Sequence, residues 1–85
     1  MSFIHYEFSL SSTDAVEVHL DKQANVRLLD GPNYQRYRRG QKYTFYGGLA
    51  TASPVLLRPP HAGYWHVVID LGGYGGTVCT SARVV

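Results

Sequence analysis

Eighty-five residues, 45% of them apolar and 16% charged, describe one small globular domain and exclude both a second domain and a disordered chain. A net charge of +2 is too small by itself to imply nucleic-acid or membrane binding, so only the distribution of the cations carries information. A single cysteine, Cys79, allows no intramolecular disulfide, and no apolar run approaches the ~20 residues that span a bilayer.

The N-terminus, Met1 to Glu7, has no basic stretch before an apolar core and reaches a carboxylate at Glu7, which argues against a signal peptide. Cytoplasmic localisation without membrane association is therefore the expectation. A chain of this length buries ~60–65% of the surface its unfolded form exposes, so the core should be adequate but thin. Seven tyrosines and nine glycines favour β-structure with many turns.

Ile4, Tyr6, Phe8 and Leu10 alternate with His5, Glu7 and Ser9, the period of a half-buried strand. Ser11 to Asp14 reads as a turn, Val16 to Leu20 as a second strand, Asp21 to Gln23 as a hairpin connection and Ala24 to Leu29 as a third strand, so the first thirty residues form a meander. Asp30-Gly31-Pro32-Asn33 breaks the pattern. Tyr34 to Arg39 then fits a short helical turn of under two turns, capped by Asn33 and closed by Gly40, with Tyr34 and Tyr37 on one side and the arginines towards solvent.

Strand alternation resumes over Lys42 to Tyr46, is broken at Gly47-Gly48, and leaves Leu49 to Ser53 as loop before Pro54. Val55 to Arg58 reads as a short strand and Pro59 to Gly63 as a rigid turn. Tyr64 to Leu71 is the central strand, with Trp65, Val67, Ile69 and Leu71 on its core face, and it begins a C-terminal hairpin that Thr77 to Val85 completes. About seven short strands at roughly ten-residue spacing predict an all-β, jelly-roll-like sandwich over residues 1–85, with one short helical turn near 33–39.

Three separated blocks, LDKQANVRLLD at Leu20 to Asp30, YGGLATASP at Tyr46 to Pro54 and WHVVIDLGGYGG at Trp65 to Gly76, carry a resemblance. In the same order and nearly end to end, the chain is similar to the small bacterial proteins of the domain-of-unknown-function family DUF1883. The resemblance implies no catalytic residues and no cofactor. Association of some members with Toll/interleukin-receptor domains implies a sensing or defence-signalling context.

Two segments are candidates for ligand contact. Arg36, Tyr37, Arg38, Arg39, Lys42 and Tyr43 interleave cations with aromatics, a combination that binds a nucleotide-like anion through charge and stacking, or that forms a solvated helix face whose tyrosines cover the sandwich. The loop Gly72, Gly73, Tyr74 and Gly75 offers amides to an anion, yet lacks the Lys-Ser/Thr pair and the helix of a P-loop; the competing reading is a glycine-rich turn.

The four histidines His5, His19, His61 and His66 show no HxH or HExxH spacing, so no metal site is expected, although His5 and His19 would meet if their strands were adjacent. His66 and Asp70 lie about 13 Å apart along one strand and cannot pair. Asp30 and Asp70 end strands beside glycine, where carboxylates cap turn amides, and Cys79 reads as a small inert strand residue. These readings predict a non-enzymatic module that recognises a nucleotide-like anion, without cofactor. The rivals are an assembly domain contacting another copy or a fused signalling domain, and, weakest, a small hydrolase using His61, His66 or Asp70.

Overall fold

Apolar alternation in the N-terminal third produces three strands, β1 (Ile4–Leu10), β2 (Val16–Leu20) and β3 (Ala24–Asp30), in a computed structural model that describes residues 3–72 and 76–85. A helix α1 (Gly31–Arg38) follows, then β4 (Tyr46–Ala50), β5 (Val55–Leu57), β6 (Gly63–Asp70) and β7 (Thr80–Val84). Two antiparallel sheets result, ordered β1-β6-β3-β4 and β5-β2-β7. They bury Val16, Val18 and Leu57 of one sheet against Val26, Leu28, Trp65, Val67 and Ile69 of the other, with Tyr6 and Phe8 packed around them. The chain is an all-β sandwich with one short helix.

The expected meander is absent. β1 and β3 both flank β6, while β2 lies in the opposite sheet, so the turns at 11–15 and 21–23 carry the chain across the sandwich. The expected C-terminal hairpin fails for the same reason: β6 and β7 belong to different sheets, and Cys79 is an exposed residue preceding β7. Crossing lets each short strand place its apolar face on the shared core, which local alternation specifies without naming a neighbour.

The fourth strand lies at 46–50 instead of 42–46 and contains the two glycines expected to break it. Gly47 and Gly48 adopt φ of 109° and 147°, and a Cβ on Gly47 would collide with the Val26 carbonyl oxygen. Glycine is thus what allows β4 to close on β3.

The helix is longer than expected because Asp30, and not Asn33, caps it. The Asp30 carboxylate accepts from the Asn33 amide at 3.0 Å, and Pro32 fits the first turn. Asn33 instead accepts from the Thr44 amide at 2.9 Å and so holds the segment that follows the helix. At the other end, Gly40 with φ of 71° allows Gln41 N–H to reach Arg36 O and Gly40 N–H to reach Tyr37 O, a Schellman closure.

Tyr34 and Tyr37 point inward and form a second, smaller core with Leu29 and Val68 on the outer face of the four-stranded sheet. The layers are therefore helix, four-stranded sheet, three-stranded sheet. Among the described residues, no helix is long and apolar enough to cross a membrane.

Candidate functional site

The face of the four-stranded sheet beneath α1 carries the polar half of each alternating strand: His5 and Glu7 on β1, Asn25 and Arg27 on β3, and His66 and Asp70 on β6. These side chains sort into two clusters along β6.

The first surrounds Asp70. Its carboxylate accepts from Asn25 Nδ2 at 3.0 Å, Arg27 Nη1 at 2.6 Å, the Tyr37 hydroxyl at 2.7 Å and the Gly72 amide at 2.8 Å. Burial works to raise its pKa, but the bonds from Asn25, Tyr37 and Gly72 and the charge of Arg27 outweigh it, and Asp70 is held below the ordinary carboxylate range. Tyr37 is pushed far up, by burial and then by the adjacent carboxylate, and stays a neutral donor. With four donors on two oxygens, Asp70 has no lone pair to spare for a substrate proton.

The second cluster lies towards the β1 edge. The antiparallel register sets Glu7 opposite His66 and makes His5 the diagonal neighbour of His66. His5 Nε2 and His66 Nδ1 share a hydrogen bond of 2.8 Å, and His5 Nδ1 bonds the Tyr34 hydroxyl at 3.0 Å. The Tyr34 ring stacks on both imidazoles, with centroids 4.2 and 4.3 Å away. Glu7 Oε1 stands 3.8 Å from His5 Nε2 and 3.6 Å from His66 Nδ1, while its Oε2 accepts from the Tyr64 hydroxyl at 2.9 Å. Burial lowers the pKa of both histidines, reinforced at His66 by His5; the bond to Glu7 raises that of Tyr64. Neutral imidazoles beside a carboxylate are the form in which histidine donates a lone pair.

The expected ligand-contact residues divide. Arg36, Arg38, Arg39 and Lys42 are exposed, with the Arg38 guanidinium 5.8 Å from the Tyr34 ring centroid and Arg36 donating to Asn33. Tyr37 must be removed from the contact set: at 4% exposure, with its hydroxyl on Asp70, its ring is sheet packing and not a stacking platform. Gly72 has given its amide to Asp70, while Gly73, Tyr74 and Gly75 lie outside the described residues. A cleft of about 460 Å³ adjoins Gly72, lined by Lys22, Asn25, Leu49 and Leu71, but it contains none of the helix cations.

His19 does not meet His5. It pairs with Glu17 at 2.9 Å in the opposite sheet, and His61 is an exposed turn residue whose ring lies 5.0 Å from that of Trp65. His66 and Asp70 lie in separate clusters, and no histidine bonds Asp70, as their spacing along one strand requires. Sequence reasoning missed the convergence of His5, Glu7 and His66, although all three alternate onto polar strand faces. The missing information was that the first strand pairs with the sixth.

No curated protein and no solved structure matches the chain. Its whole length, residues 1–85, matches the family described as Domain of unknown function (DUF1883), and the chain belongs to that family.

Proposed function

We propose that this domain is a non-enzymatic binding module whose helix α1 receives a nucleotide-like anion. One observation carries the reading: Arg36, Arg38, Arg39 and Lys42, half of the eight lysines and arginines of the chain, are all exposed on α1 and the loop after it, and among the described residues none of them forms an ion pair. Exposed cations left uncompensated create a local positive potential that phosphate oxygens satisfy, with arginine offering a bidentate fork. The burial of Tyr37 shifts the burden of recognition from stacking to charge, and Phe45, exposed just beyond Lys42 with the Arg27 guanidinium 5.3 Å from its ring centroid, is one aromatic surface left for a base.

Replacing Arg36, Arg38 and Arg39 together by alanine tests this. Wild type and triple variant are titrated with oligonucleotides and with linear and cyclic nucleotides at two salt concentrations, in EDTA so that bound metal plays no part. The expected result is binding by the wild type that weakens with salt and is largely lost in the variant, with melting temperature nearly unchanged. Absence of binding, or equal binding without salt dependence, removes the proposal and favours an assembly domain. That second reading draws on exposed Tyr46, Leu49 and Leu56 along the edge strands β4 and β5, which suit contact with another copy or a partner domain.

A further inference from the structure

His5, Glu7 and His66 bring three atoms of metal-ligand type to one point beside the β1 edge of the four-stranded sheet. We propose that they bind a divalent transition-metal ion through His5 Nε2, Glu7 Oε1 and His66 Nδ1, leaving further coordination positions open. This inference does not rest on the anion reading of α1; of that basic face, Arg38 lies near enough to act on the charge of His5 and so opposes a cation there.

The geometry fits the ion without rearranging the backbone. The three atoms form a triangle with edges of 2.8, 3.6 and 3.8 Å. Its corners are equidistant from a point about 2.0 Å away, the length of a metal–imidazole or metal–carboxylate bond. An ion at that point lies in the plane of its three ligand atoms, which leave both faces open; the tetrahedral placement zinc prefers, above that plane, asks the two nitrogens now 2.8 Å apart to spread by about half an ångström through side-chain rotation.

The chemistry selects the class of metal. Two imidazoles and one carboxylate suit zinc, iron(II), cobalt or nickel, whereas calcium and magnesium demand oxygen ligands. Binding by both imidazoles through bare nitrogens also replaces the 2.8 Å contact between them, which without a metal requires a proton on one of the two.

The surroundings supply what a metal site needs beyond its ligands. His5 offers Nε2 while the Tyr34 hydroxyl and ring hold its Nδ1 side and its face, and Glu7 offers Oε1 while the Tyr64 hydroxyl holds its Oε2, so a tyrosine orients each of these ligands. Tyr34 also stacks on His66 at an interplanar angle of 7°, fixing the third ring. Glu7 is exposed, which provides the route of entry.

Untagged protein, stripped with EDTA and dialysed, is titrated calorimetrically with Zn²⁺ alone, and separately with Ca²⁺ and Mg²⁺. The expected result is saturable binding of one Zn²⁺ per chain with no comparable response to Ca²⁺ or Mg²⁺. Glu7→Ala, at an exposed position that leaves the fold intact, should weaken Zn²⁺ at least about tenfold, and Tyr34→Phe by about 10–100-fold through loss of orientation. His5→Ala and His66→Ala should abolish binding, while His19→Ala and His61→Ala bind like wild type. If His66→Ala does not fold, the Glu7 and His5 variants decide the matter. The proposal is overturned by an absence of saturable Zn²⁺ binding, by binding that Glu7→Ala and His5→Ala leave unchanged, or by binding lost in His19→Ala or His61→Ala.

Discussion

Asp70 and Tyr37 show how a single hydrogen bond can be tested by its own pH dependence. Asp70 titrates below the ordinary carboxylate range, so the folded state favours its ionised form and the unfolded chain takes up the proton first. The stabilisation is complete above the unfolded value near pH ~4 and is lost as pH falls through the lower folded value. Tyr37→Phe should therefore cost about 1.5–3 kcal/mol at neutral pH, the range for a bond to a charged group, and distinctly less in acid. Urea midpoints of wild type and variant across the pH range measure the difference, and a cost that does not shrink in acid would show that the carboxylate is not the acceptor that matters. The capping habit of Asp30 and Asp70 was legible, because a carboxylate two or three residues before an amide needs only local geometry. Arg27 as the partner of Asp70, and His66 as the partner of His5, were not, since those contacts join residues 43 and 61 positions apart.

Among the elements, α1 and β4 mark where local reading succeeds and where it stops. The inward tyrosines and outward arginines of α1 followed from helical spacing, and Gly40 from the need for positive φ at its end. Its start was misplaced because Asp30 and Asn33 are both good capping residues, and only tertiary context assigns Asn33 to Thr44. In β4, Gly47-Gly48 looked like punctuation, yet at Gly47 it is the close approach to β3 that demands glycine, and at Gly48 the positive φ. Gly47→Ala should thus destabilise the domain by about 1–3 kcal/mol, combining backbone strain with the clash at Val26. A denaturation midpoint equal to wild type would mean that β4 does not pair with β3 at this register.

At the scale of the whole molecule, the sandwich and most of its core were written in the alternation of the strands, while the order of the strands was not. Period-two patterning states which face is buried and says nothing about which strand lies alongside, so β1, β2 and β3 could be given the right faces and the wrong neighbours. Trp65→Ala should cost ~3–5 kcal/mol, enough to approach the total stability of so small a domain, because the ring is 1% exposed between the sheets. Thermal melting checks this, and a variant as stable as wild type would place the core elsewhere. β6 has a further property. From Trp65 to Asp70 six consecutive residues are buried, the odd ones against β2 and its sheet, the even ones beneath α1. Sliding this strand by one residue would drive His66 and Asp70 between the sheets and turn the indole out under the helix, so both faces enforce the same alignment. Such a strand is keyed from two sides: from Trp65 to Asp70 it offers no exposed position at which substitutions can accumulate, each change striking either the structural core or the polar face, and only a shift of the whole strand striking both.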